Sequence, residues 1–92
     1  MDIVWTEHAV QRRREIFIYI AADNIDAARK LDEDFQQAAM RLLRFSNMGR
    51  NGYVPGTREI VVRNAYILVY RIVADTLQIL TIHHAARKHP LL

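Results

Sequence analysis

The sequence contains no cysteine, and it has only three glycines and two prolines among its 92 residues. The absence of cysteine excludes a disulfide framework, a thiolate metal site and a cysteine nucleophile. No apolar run approaches the roughly 20 residues of a membrane-spanning helix, and the opening residues lack the basic stretch of a signal peptide. We therefore expect a cytoplasmic protein that makes no membrane contact.

Apolar residues make up 51% of the chain and charged residues 25%. This is the balance of a folded globular protein and not of a disordered one. Because a second domain could not build its own core in so short a chain, we expect a single domain over residues 1–92.

Positive charge is concentrated in the second half of the chain. Residues 1–48 carry seven basic and eight acidic side chains, whereas residues 49–92 carry six basic and two acidic ones. The net charge is therefore −1 in the first half and +4 in the second. A basic half of this kind attracts polyanions or acidic protein surfaces.

Two helices are predicted in the first half, after a short strand at residues 3–5. Thr6 is a plausible N-cap for a helix that runs to about Ala22, and Asp23 or Asn24 can cap a second helix. In that second helix apolar residues recur every three or four positions up to Leu42, with polar residues between them. The pattern predicts a helical hairpin.

The second half is predicted to form strands. All three glycines and Pro55 fall within residues 49–56, which indicates a loop, and the glycine spacing is not that of a phosphate-binding loop. Three runs rich in β-branched and aromatic residues follow at 60–62, 66–73 and 77–82, separated by short turns. We predict an α+β fold of order β-α-α-β-β-β, with the hairpin packed on a twisted antiparallel sheet.

Histidine supplies the one cluster with potential chemistry. His83 and His84 are adjacent in a predicted strand, so their side chains point to opposite faces and are poorly placed to bind one metal ion. We predict no metal and no cofactor. Each histidine can instead pack at the end of the sheet, bind a partner, or serve as a general acid or base.

Three segments together are typical of one protein superfamily. They are VPGTREIV at residues 54–61, YILVYR at 66–71 and ILTIHHAAR at 79–87. With the opening IVWT and the AAR at 27–29, the chain resembles, over nearly its whole length, the ParE/RelE toxins of bacterial type II toxin–antitoxin systems. Within that superfamily it resembles the ParE branch.

The two branches differ in activity, and the residues favour ParE. Members resembling RelE are ribosome-dependent endoribonucleases, and they commonly carry an arginine where this chain has Ile67. If the chain were such an enzyme, its catalytic candidates would be Arg63, His83 and Arg87. ParE-like members inhibit DNA gyrase by binding, which requires a surface and no catalytic group.

The resemblance implies a growth-inhibiting toxin, of the kind that maintains plasmids, and a cognate antitoxin. The antitoxin would have a segment that folds on the toxin, giving a hetero-oligomer, and we expect this segment in a groove between hairpin and sheet. DNA gyrase, alone or with its DNA, is the expected target. The alternatives are a ribosome and mRNA target, or a non-toxic member that binds only its antitoxin.

Candidate target-binding residues come mainly from the basic half. We expect residues 85–92 to form an exposed arm, because Pro90 cannot continue a strand or an interior helical turn. This arm is the first candidate for contact with gyrase or its DNA. The full set of candidates is Arg58, Arg63, Tyr70, Arg71, His83, His84, Arg87 and Lys88.

Overall fold

A computed structural model describes residues 1–86. It contains two helices and five strands in one sheet, which confirms the predicted α+β class and the hairpin. No helix among these residues is both long and apolar enough to cross a lipid bilayer. In chain order the elements are β1 (Asp2–Trp5), α1 (Glu7–Ala21), α2 (Ile25–Arg44), β2 (Arg50–Asn51), β3 (Arg58–Val62), β4 (Tyr66–Val73) and β5 (Thr76–His84).

Side-chain caps define where both helices begin. Thr6 accepts a hydrogen bond from the Ala9 amide at 3.1 Å, and Asn24 accepts one from the Ala27 amide at 3.0 Å. Each cap satisfies a first-turn N–H that has no partner within its helix. Thr6 was the predicted cap, and of the two candidates for the second helix the structure uses Asn24.

The sheet has the strand order β1-β5-β4-β3-β2. Strands β3, β4 and β5 form the predicted antiparallel meander, but β1 runs parallel to β5, with Ile3 opposite Leu77. The sheet is therefore mixed, and the expectation of a purely antiparallel sheet needs this correction. Strand β2, which the sequence did not predict, adds two residues to the outer edge of β3. A bulge near Val69 and Tyr70 shifts the register between β4 and β5.

One face of the sheet packs on the helices and forms the core, and we call the other the outer face. Because side chains alternate along a strand, Leu68 and Tyr70 point to the core while Val69 and Arg71 point outward. Phe35 and Leu42 of α2 cover the core side, and both are fully buried. The fully buried core residues on the strands are Leu68, Tyr70, Leu77, Ile79 and Ile82.

Helix α1 follows β1 and lies beside the part of β5 that extends beyond the end of β1. The Thr6 hydroxyl donates to the Leu80 carbonyl at 3.1 Å, and Arg12 Nε donates to the Ile82 carbonyl at 3.2 Å. These two carbonyl groups of β5 lie beyond the end of β1, and the bonds from Thr6 and Arg12 give them hydrogen-bond partners. They also fix the distance between α1 and the far end of β5, where a cleft opens.

The three consecutive arginines of α1 have different roles. Arg13 donates to both carboxylate oxygens of Asp32 on α2, at 2.6 and 3.0 Å, and its guanidinium lies 4.6 Å from the Trp5 ring centroid. Arg12 is also partly buried, whereas Arg14 is exposed. Two of these residues therefore join elements of the fold, and only Arg14 is a plain solvated charge.

Candidate binding surfaces

The segment that joins α2 to β3 is held by the first two residues of β3. The Arg58 guanidinium donates to the Gly49 carbonyl at 2.8 Å and to the Asn47 carbonyl at 3.3 Å. The carboxylate of Glu59 is buried and accepts from Arg50 Nε at 3.2 Å. Arg58, a predicted target contact, is thus partly committed to the fold.

Tyr70 lies in the core and cannot reach a partner. Its side chain is fully buried, and its hydroxyl donates to the Ser46 carbonyl at 2.7 Å and accepts from the Gly49 amide at 3.1 Å. A Cβ atom at Gly49 would come within 2.6 Å of that hydroxyl, so the backbone approaches as closely as it does because the residue is glycine. The structure therefore corrects the proposal that Tyr70 binds the target.

Arg63 occupies the turn between β3 and β4 and forms an ion pair with Asp34 of α2. Arg63 and the following Asn64 both have a φ of 55°, a left-handed conformation that non-glycine residues adopt infrequently. The ion pair draws the Arg63 side chain to the helix side of the sheet. Arg63 is therefore a turn residue that connects the meander to α2.

His83 and His84 point to opposite faces, as predicted. His83 is buried on the outer face, and His84 is exposed on the helix side. The His84 ring meets the Tyr66 ring edge-on, with centroids 5.3 Å apart, and its Nδ1 accepts from the Ala86 amide at 3.1 Å. Within residues 1–86 no three His, Cys, Asp or Glu side chains are placed to hold a metal ion.

Clefts open on both sides of the sheet. The first, which we call the α1 cleft, encloses about 590 Å³ between α1 and the far ends of β4 and β5. Its walls combine aromatic and charged groups, and Tyr19 is 82% exposed at its rim. Its main lining residues are Arg12, Glu15, Ile16, Tyr19, Tyr66 and His84.

The second, which we call the outer cleft, encloses about 360 Å³ between the loop at residues 53–57 and the outer face. Arg71 lies at this cleft, is exposed, and donates from Nε to Gln78 Oε1 at 2.7 Å. Its walls are largely apolar. They include Val54, Pro55, Val69, Leu80, Thr81 and His83.

Residues 3–89 match the family model of the ParE toxin of the type II toxin–antitoxin system, parDE. The match covers nearly the whole chain. The chain belongs to the ParE toxin family. Membership makes it a ParE-type toxin of a type II toxin–antitoxin system, and such a system implies an antitoxin partner.

Two further similarities agree with ParE membership. The chain is 38% identical over 89 residues to a protein of Sinorhizobium fredii named "Putative toxin Y4kP", covering 96% of this chain and 92% of the relative. A solved structure described as "Chromosomal ParDE TA system from P. aeruginosa" contains a chain of the same fold, with a TM-score of 0.81 and 25% identity. That similarity covers 91% of this chain and 95% of the other.

On this ParE fold the sequence-derived candidates are scattered and do not form one site. Tyr70 and His83 are buried, and Arg58 binds backbone carbonyls. Arg63 is exposed but paired with Asp34, and Arg71 and His84 are exposed on opposite faces. The other two candidates, Arg87 and Lys88, lie outside the described residues, as does the end of the predicted arm.

Sequence reasoning did not identify Tyr19 or the loop residue Val54 as candidates for binding. Both have largely apolar side chains that lie exposed beside a cleft; the exposed fraction is 82% for Tyr19 and 38% for Val54. The signal for Tyr19 was available in principle, since it falls outside the apolar stripe of its helix. No comparable signal existed for Val54, because its exposure depends on how the loop folds over the sheet.

Proposed function

We propose that this ParE-family chain is a toxin that inhibits DNA gyrase by binding it in the cytoplasm, and that its cognate antitoxin neutralises it. The observation that carries the proposal is the separation of the groups that RNA cleavage would use. Arg63 is paired with Asp34 on the helix side, whereas His83 is buried on the outer face.

RNA cleavage needs a base, an acid and a cation that converge on one phosphate. Of the two described candidates for these roles, Arg63 pairs with Asp34 of α2, whereas His83 is buried on the outer face. Ile67, at the position where RelE-like enzymes commonly carry arginine, is an apolar side chain that is only 6% exposed. These features favour a toxin that acts through its surface over one that acts through a catalytic centre.

The exposed candidates support a binding role. Arg71 and His84 present a cation and an imidazole to solvent at two clefts on opposite faces of the sheet. The net charge of +4 in residues 49–92 favours encounter with DNA or with an acidic protein surface. Gyrase together with its DNA offers both kinds of surface.

The α1 cleft is the proposed site of the antitoxin segment that folds on the toxin. It is the groove between hairpin and sheet in which we expected that segment. Tyr19 and Tyr66 supply aromatic area for apolar anchors, and the exposed imidazole of His84 supplies a polar contact. Arg12 is already paired with Glu15 at 2.6 Å within the cleft. An amphipathic segment with one apolar and one acidic face matches this lining.

Inducible expression in growing bacteria tests the proposal. We expect growth arrest, gyrase-dependent breaks in chromosomal DNA, no new cuts in translated messages, and recovery when the antitoxin is coexpressed. Primer extension on those messages is the deciding measurement. If messages are cut within codons, and the cuts disappear in Arg63→Ala or His83→Ala, the target is the translating ribosome and not gyrase. If the cells grow normally although the chain binds its antitoxin, the chain is a non-toxic member of the family that only binds antitoxin.

A further inference from the structure

Helix α1 carries an exposed stripe on the side away from the core. The buried residues of the helix contact the core, but Gln11, Arg14, Ile18 and Ala22 are all exposed. They follow one another at spacings of three or four residues, so they lie along one side of the helix. We call this stripe the α1 ridge. Ile18 lies in its middle and is 62% exposed.

The apolar part of the α1 ridge continues to the hairpin turn. Tyr19, next to Ile18, is 82% exposed, and Ile25, the first residue of α2, is 50% exposed. Single exposed apolar side chains are ordinary on protein surfaces. Three of them at one end of a helical hairpin form a patch, and an exposed apolar patch indicates a site of association.

The α1 ridge also carries opposite charges on the two sides of Ile18. Arg14 lies about one helical turn before Ile18, and Asp23 lies just over one turn after it. Both residues are exposed, and within residues 1–86 neither side chain has an ion-pair partner. Arg12 and Arg13, by contrast, are paired with carboxylates of this chain.

This order of charges makes the α1 ridge complementary to itself. If two copies of α1 pack antiparallel with Ile18 at the centre, Arg14 of one copy lies opposite residue 22 of the other. Asp23 of the second copy is then the nearest carboxylate in sequence to that point. A two-fold axis forms the same ion pair twice, once on each side of the central isoleucines.

We propose that two copies of this chain associate through their α1 ridges, antiparallel and around a two-fold axis. Ile18 contacts Ile18 of the second copy, and Arg14 pairs with Asp23 of the second copy on both sides. Ala22 is small, which lets the two helices approach closely. The contact goes beyond the proposed function, because neither gyrase nor the antitoxin takes part in it.

Charge favours a second copy over other occupants of the α1 ridge. The hairpin turn carries Asp23 and Asp26, both exposed, so it repels anionic lipid headgroups and also an acidic antitoxin segment. A second copy brings Arg14 to the same place. It is therefore the partner whose charges match both ends of the ridge.

The size of the surface limits the strength of the association. Helix α1 has 15 residues and is about 22 Å long, so one pair of such helices forms a contact at the small end of the range for protein interfaces. We expect a reversible dimer with a dissociation constant of about 1 to 100 µM.

Sedimentation velocity of the antitoxin-free toxin tests the proposal. The full-length chain is separated from coexpressed antitoxin in denaturant, refolded, and measured at concentrations from about 1 to 200 µM. We expect the mass to rise from monomer to dimer over this range. Ile18→Ser should weaken the dimer about tenfold or more, because the two-fold axis removes both central side chains at once. The matched control is Met40→Ser, a substitution at an apolar residue of α2 that is 48% exposed, which should leave the dimer unchanged.

A charge exchange tests the antiparallel arrangement. Arg14→Asp alone and Asp23→Arg alone should each weaken the dimer about threefold or more, because each places like charges opposite one another. The double variant Arg14→Asp/Asp23→Arg should restore wild-type association, since the ion pairs form again with their ends exchanged. Its control is Arg14→Asp/Glu33→Arg, which has the same net charge and should not restore it. Circular dichroism and thermal melting establish that every variant folds.

Four results would overturn the proposal. The first is a wild-type toxin that remains monomeric at every concentration. The second is a dimer that Ile18→Ser and Met40→Ser weaken equally, or that neither weakens, and the third is a charge exchange that restores nothing. The fourth is a monomeric toxin in which Ile18→Ser abolishes binding to antitoxin or to phosphatidylglycerol vesicles, which would assign the α1 ridge to that partner. None of these results bears on gyrase inhibition, which is measured separately.

Discussion

The two faces of the same sheet differ in how far they are covered. On the core side Leu68, Tyr70 and Ile82 are fully buried, whereas on the outer face Val61 is 44% exposed and Arg71 faces solvent at a cleft. The core residues lie on β4 and β5 and the outer residues on β3 and β4, and side chains alternate between the two faces along each strand. Each of these strands therefore contributes one face to the core and leaves part of its other face exposed.

The largest expected difference between the faces comes from truncating a large side chain on each. Phe35→Ala should lower the free energy of unfolding by about 3 to 5 kcal/mol, because it leaves a cavity against Tyr66 and the core strands. Val61→Ala on the outer face should cost less than about 1 kcal/mol. Urea denaturation of both variants measures the two values, and equal losses would show that the outer face is as tightly packed as the core.

A smaller effect is expected from the buried hydroxyl of Tyr70. Tyr70→Phe removes a donor to Ser46 and an acceptor for the buried Gly49 amide, which should cost about 1 to 3 kcal/mol. Tyr19→Phe deletes the same atom at an exposed position and should change stability by less than about 0.5 kcal/mol. Thermal melting compares the pair. If both variants have the same melting temperature as the wild type, the Tyr70 hydroxyl does not stabilise the segment between α2 and β2.

The smallest predicted effect concerns the neighbouring arginines of α1. Arg13→Ala should cost about 1 kcal/mol, since it loses a bidentate contact with Asp32 and a cation–π contact with Trp5. Arg14→Ala should leave stability within about 0.5 kcal/mol of wild type. Unfolding in high salt should reduce the difference by screening the ion pair. A larger loss at Arg14 would contradict the division of roles along this helix.

Local patterns were sufficient to predict the helices and the meander. Thr6 was recognisable as a cap, and the apolar spacing around Phe35 marked the buried stripe of α2. The parallel pairing of β1 with β5 was not predictable, because it joins Ile3 to Leu77 across most of the chain and leaves no local signal. Strand β2 is only two residues long, below the length at which a strand pattern can be read.

Prediction of the binding residues was limited by tertiary contacts. The sequence showed that His83 and His84 face opposite ways, but it could not show that one is buried and the other exposed. It also could not show that Arg63 pairs with Asp34, since that contact depends on how the β3–β4 turn meets α2. Residue type identified the candidates, and only packing separated arginines that hold the backbone, such as Arg58, from accessible ones such as Arg71.

The most direct test of the account is the amount of gyrase-cleaved DNA formed in the presence of the purified toxin. Gyrase, ATP and plasmid are incubated with increasing toxin, covalent complexes are trapped with detergent and protease, and linear DNA is quantified. We expect linear DNA to rise with toxin concentration, supercoiling to fall in parallel, and added antitoxin to reverse both. Unchanged supercoiling and cleavage at saturating toxin, with messages cut on translating ribosomes by the same preparation, would contradict it.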